Sequence, residues 1–241
     1  MHDAVQTGVY GKLPAYGDFV SRNLQASFIN PWDEWLQHYI FTSREQLGNQ
    51  WLDIYLTSPI WRFVLSSGVI DDKKWAGIIM PSVDRVGRYF PLSLARPIPA
   101  ETAAIHFFVS QTRWYEQLES SCLLALNGQI DVDELVSCIG EINLTAYDAY
   151  LPTSNVGDNG AFILGLPDSD QSSVSVGLPY LLEATLSSGF TSFSVWQTEG
   201  SEVVSPLMFC CQGLPPISGL TSMLDGQWQL RNWKIPYNLK S

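Results

Sequence analysis

Three short apolar runs, at residues 61–66, 75–80 and 88–95, follow one another through the first half of the chain with turn residues between them. Each is rich in aromatic, β-branched and aliphatic residues, and each is bounded by Gly or Pro: Ser67-Gly68 after the first, Pro81 after the second, Pro97 and Pro99 after the third. Runs of this length and punctuation read as strands of a sheet. A fourth strand is expected within residues 5–13, ending at Pro14 and passing into the loop Ala15-Tyr16-Gly17-Asp18. Two more are expected at 191–197 and 206–211, joined as a hairpin through Thr198-Glu199-Gly200-Ser201, and residues 162–166 can form another.

Helical spacing occupies the intervals. Trp32, Trp35, Leu36, Tyr39 and Ile40 repeat at three and four residues behind Asn30 and Pro31, which predicts a helix over 31–48. A short helical turn is expected at 51–56, a long helix at 102–126 closed by Gly128, one from an N-cap at Asp131 through Ile139, and one at 180–186. These elements describe an α+β fold: a central, mainly antiparallel sheet of about five to seven strands flanked by helices, sandwich-like.

With 241 residues, 46% of them hydrophobic, the chain can bury a large core, and no linker or repeat divides it, so one domain over 1–241 is expected. The sequence shows no apolar run of membrane-spanning length and no signal-like N-terminus, which predicts a cytoplasmic protein without membrane insertion. Cys122, Cys138, Cys210 and Cys211 have no CxxC spacing and are read as buried thiols.

The net charge of −11 argues against nucleic acid and anionic lipid as partners, since both call for excess Lys and Arg. The charge is unevenly placed. Residues 1–100 balance nine acids with nine bases, whereas 101–230 hold fifteen acids and a single base, Arg113. An acidic second half serves solubility, and it also offers a face to a basic partner.

No nucleophile elbow, phosphate loop, metal helix or dinucleotide loop is present. The stretch from Gly8 to Lys12 lacks the spacing and the Ser or Thr of a phosphate loop, and Pro14 removes an amide that such a loop would use. His2, His38 and His106 are scattered, so no metal site or cofactor is expected. Asp18 and Asp84, with Ser82, are the one set that loops could bring together for acid–base chemistry, and ion pairing with Lys12, Arg85 or Arg88 is the commoner fate of such acids.

Charged residues embedded among Pro, Gly and aromatic residues stand out instead: Lys12 and Pro14; Gly17, Asp18 and Phe19; and Pro81, Ser82, Asp84, Arg85, Gly87 and Arg88. Such loops are stiff, so they either present charges in one geometry to a partner or hold themselves against the sheet through an Asp–Arg network. The tryptophans at 32, 35, 51, 61 and 75 face the same choice between core and exposed cluster.

These loop residues carry a family resemblance. Residues 8–20, running Gly8-Val9-Tyr10-Gly11-Lys12-Leu13-Pro14-Ala15-Tyr16-Gly17-Asp18-Phe19-Val20, resemble the opening signature of the TagF (ImpM) family associated with type VI secretion. Pro31-Trp32-Asp33-Glu34-Trp35, Pro59-Ile60-Trp61-Arg62-Phe63 and the run from Met80 to Pro91 follow in the family's order, and Ser194-Val195-Trp196 with Gly213-Leu214-Pro215 resemble its closing elements. Val195 stands where a first tryptophan of a pair is expected. The resemblance implies a cytoplasmic post-translational repressor of the secretion machine that binds the forkhead-associated protein Fha and performs no chemistry. It also implies that a phosphatase, which some relatives carry fused, belongs to a separate chain, and it leaves homodimerisation open. The competing readings are a small hydrolase or nucleotide-binding switch using Asp18, Ser82 and Asp84, and a structural subunit of the machine.

Overall fold

The central apolar runs become three adjacent strands of a seven-stranded sheet. The computed structural model describes residues 6–145, 150–151, 153, 161–166 and 173–237. Its strands are β1 (Gly8–Gly11), β2 (Val20–Arg22), β3 (Trp61–Leu65), β4 (Lys74–Met80), β5 (Leu92–Ile98), β6 (Phe193–Thr198) and β7 (Leu207–Gln212), in spatial order β2-β1-β5-β4-β3-β6-β7. Every pairing among them is antiparallel. Both faces are covered by helices, as the α+β sandwich reading expects.

Strand alternation sorts the core into two layers. Trp61, Phe63, Leu65, Trp75, Ile79 and Trp196 face α1 (Ala26–Leu47), α2 (Trp51–Leu56) and, late in the chain, a short helix at Ser222–Asp225. Val64, Ala76, Ile78, Leu92, Leu94 and Val195 face α3 (Ala104–Ser110), α4 (Thr112–Leu126) and α5 (Val132–Gly140), and α6 (Ser173–Gly189) packs on α3. The tryptophans of the first third therefore build the aromatic layer: Trp32 lies 4.8 Å from Phe63 between ring centroids and donates its indole N–H to Ser93 Oγ at 2.9 Å.

Local chemistry explains the helix ends where it was legible. Asp131 caps α5 by accepting from the amides of Asp133 and Glu134, and Glu134 accepts from the Asp131 amide in return, a complete capping box.

Several expectations need correction. Helix α1 begins five residues before Pro31, so the proline lies inside it; burial of Phe28 against Trp75, 4.2 Å between centroids, draws the extra turn into the core. The long helix expected over 102–126 is two helices broken at Gln111, whose buried side-chain amide donates to Thr145 O at 3.1 Å and accepts from Thr145 N at 2.8 Å. The third strand starts at Leu92 rather than at residue 88, because Arg88 is held in a loop, and Pro97 lies within it. Residues 162–166 form no strand; Leu164 and Leu166 lie against α6 at Gly177, where a Cβ would meet both. Strand β2 was not expected at all. Of the cysteines only Cys122 is buried: Cys138 and Cys210 are exposed, and Cys211 is intermediate. Among the described residues no helix is long and apolar enough to cross a membrane.

Candidate functional site

The topology gathers the signature loops at one end of the sheet. Strand β1 leads into residues 12–19, and residues 81–91 join β4 to β5. Because β5 runs antiparallel to both β1 and β4, the end of β1, the end of β4 and the start of β5 lie together.

Asp84 is the hub. Its Oδ2 accepts from Lys12 Nζ at 2.7 Å and from Arg88 Nε at 2.7 Å, and its Oδ1 accepts from the amides of Val86 at 3.0 Å and Arg88 at 2.9 Å. Burial by itself would raise the carboxyl pKa. The bonds from Lys12, from the Arg88 amide and side chain, and from the Val86 amide outweigh burial and hold it well below the usual carboxylate range. Gly87, at φ +85°, allows the tight return in which its amide donates to Asp84 O at 3.0 Å.

The same network ties the two loops to each other. The Arg88 guanidinium donates to Gly17 O, and the Arg85 amide donates to Tyr16 O at 2.9 Å. Tyr16 N bonds back to Leu13 O across Pro14 at 3.0 Å, and the Arg85 guanidinium lies beside Gly17, 3.3 Å from where a Cβ would stand. Ser82, after the half-buried Pro81, donates its hydroxyl to Lys12 O at 2.6 Å, while its backbone N–H and C=O both bond Tyr55 OH from α2. Burial pushes the Tyr55 phenol up, which keeps that hydroxyl protonated and able to donate to Ser82 O.

Above this polar floor sits an aromatic rim. Phe19 is 44% exposed, stacks on Tyr10, meets Phe90 edge-on at 4.9 Å between centroids, and lies under the Lys12 ammonium at 5.0 Å. Val86 is 64% exposed at the tip of the second loop, and the Arg85 and Asp18 side chains also face solvent. Asp18 accepts from its own neighbour, Phe19 N, at 2.8 Å.

The structure thus divides the residues singled out from the sequence. Lys12, Pro14, Gly17, Asp18, Phe19, Pro81, Ser82, Asp84, Arg85, Gly87 and Arg88 form one loop cluster. Trp32, Trp61 and Trp196 lie in the aromatic core layer, with Trp61 donating to Met223 O at 3.1 Å. Arg62 lies on the opposite face of the sheet, paired with Glu119 through Nε–Oε1 at 2.6 Å and a second guanidinium nitrogen to Oε2 at 2.9 Å. Tyr55 and Tyr10 were missed, since nothing in their local sequence marks them as supports of distant loops. In the acid–base set, Asp84 is fully hydrogen-bonded and Ser82 Oγ is committed to a backbone carbonyl. Among the described residues no cluster of three or more His, Cys, Asp or Glu could hold a metal.

The family model for the TagF N-terminal domain, type VI secretion system-associated, matches residues 8–142, which include the whole loop cluster. The chain is similar to the crystal structure of PA0076 from Pseudomonas aeruginosa PAO1, with 32% identity and a TM-score of 0.78 over 98% of this chain and 100% of that one. No curated protein matches the sequence. By a domain match over more than half its length, which takes in the Asp84-centred loops, the chain belongs to the TagF family associated with the type VI secretion system.

Proposed function

We propose that this TagF-family chain is a post-translational negative regulator of the type VI secretion machine and acts by binding the forkhead-associated protein Fha. Family membership supplies the system. The observation that supports binding over chemistry is the closed Asp84 network: its polar groups are spent on one another, and it fixes the backbone of the loops that carry Asp18, Phe19, Arg85 and Val86 outward. A surface fixed in advance loses little conformational entropy on association, which favours recognition.

Calorimetry with purified Fha tests this reading, using the wild type and the exposed-residue variants Phe19→Ala and Arg85→Glu. Wild-type binding that weakens by about tenfold or more in correctly folded variants supports it, the size expected for central interface residues. A wild type that binds no Fha, or a deletion strain whose secretion does not rise, overturns it.

A further inference from the structure

The two edges of the sheet are built differently. β2 is three residues long, and its Arg22 reaches Asp133 near the start of α5 at 3.2 Å, so that edge is short and charged. β7 is six residues long and contains no charge and no proline. The hairpin register fixes which of its groups face outward. Gly213 N donates to Ser192 O at 3.0 Å, so the bonded pairs recur at 194–211, 196–209 and 198–207. Met208, Cys210 and Gln212 therefore turn their N–H and C=O groups away from β6, toward the side where no further strand pairs among the described residues.

A second observation lies beside that edge. The side chains of Met208, Cys210 and Gln212 share the sheet face that carries Val195, and Met208 is 63% exposed. Next to Met208 opens an apolar groove of about 440 Å³, walled by Phe108 and Val109 of α3, Leu178 and Leu182 of α6, and Val195. The bounding elements α3, α6, β6, β7 and the connection 199–206 contain Glu183, Glu199 and Glu202 and no Lys or Arg. Glu183 is engaged by Lys74 and the Ile105 amide, and Glu199, though exposed, lies 3.8 Å from the Arg62 guanidinium and accepts from the Gln197 side-chain amide at 3.1 Å, while Glu202 stands exposed at the end of the hairpin.

We propose that the open edge of β7 and its groove accept an extended, neutral-to-basic segment of a partner protein by strand addition. The unpaired backbone groups demand an extended occupant, the groove takes an apolar side chain from it, and the exposed Glu202, in surroundings without Lys or Arg on the bounding elements, favours a flanking base. A second copy of this chain would bring a net charge of −11 against −11, which disfavours it as the occupant. The inference is independent of Fha and of the loop cluster at residues 12–19 and 81–91.

The probe is a synthetic peptide of alternating valine and threonine with lysines at both ends, titrated into the isotope-labelled full chain while amide hydrogen exchange is followed by NMR. Exchange at Met208, Cys210 and Gln212 is expected to slow by about tenfold or more at saturation, because only these amides gain partners. A glutamate-flanked peptide should bind roughly tenfold more weakly, from a few rim charge contacts. Met208→Lys and, separately, Cys210→Pro should abolish the slowing; both positions are exposed, and the Cys210 N–H points outward, so the fold survives. Unchanged exchange at the three amides overturns the proposal. So does a free protein in which they are already protected and which sediments as a dimer, since the occupant is then a second copy.

Discussion

Lys12 Nζ lies 2.7 Å from Asp84 Oδ2, a buried ion pair between residues 72 positions apart. It joins the loop after β1 to the loop before β5, and the exposed Arg88 adds a second cation to the same carboxylate from the solvent side. Removing one partner of such a pair leaves the other charged and buried, which is far worse than removing both. Asp84→Ala is therefore expected to lower the Tm by roughly 5–10 °C and to make the 12–19 loop more susceptible to proteolysis. Thermal melts and limited proteolysis check this. The double variant Lys12→Met with Asp84→Leu should recover part of the loss.

The same carboxylate gives the protein an acid-sensitive step. Its pKa in the fold is held below the ordinary 3.8, so between the two values the unfolded chain binds more protons than the native one. The stabilisation is therefore complete above about pH 4 and fades as pH falls through the lower, folded value. Asp84→Asn removes that proton uptake. Urea midpoints measured from about pH 7 down to about pH 3 should fall less steeply for the variant than for the wild type, although the variant starts lower.

Arg62 and Glu119 should behave as a coupled pair. The two-pronged contact joins β3 to α4 with both side chains largely buried, and Arg62 to Lys is not conservative there because one ammonium cannot replace a planar fork. A double-mutant cycle with Arg62→Ala and Glu119→Ala should give a coupling energy of about 1.5–3 kcal/mol. Additive effects would mean the contact adds nothing beyond packing.

How much of this could be read from the chain depends on how local the cause is. β3, β4 and the β6–β7 hairpin were legible because apolar runs and turn residues lie within them, and α5 because Asp131 and Glu134 are three residues apart. β2 was not: only Val20 of its three residues is buried, so it carries no pattern, and its pairing with β1 creates it. Gln111, at the break, bonds the backbone of Thr145, and Lys12 bonds Asp84, contacts made only once the chain has folded. Residue types flagged the signature loops, yet their division into an internal network and an exposed rim is tertiary information.

The cysteines supply a test of surface and core at once. Cys138 and Cys210 are exposed and Cys122 is fully buried, its thiol pushed well up by burial. Cys211 points to the other side of β7 from Cys210, with its sulfur 3.3 Å from Ser194 Oγ, and burial pushes its pKa to about 11 from 9.0. A thiol at that value carries roughly a hundredfold less thiolate at neutral pH than an ordinary one, and thiolate is the reacting form. Burial also pushes the Cys210 thiol up, so in the native protein a maleimide should modify Cys138 first, then Cys210, and Cys211 far more slowly, leaving Cys122 untouched until urea unfolds the chain. Mass spectrometry of the timed reaction reads the order. Because the Cys210 side chain stands on the open strand, its modification should slow when the lysine-flanked peptide is present while that of Cys138 does not, and equal rates at both sites with and without peptide would mean that nothing docks against β7.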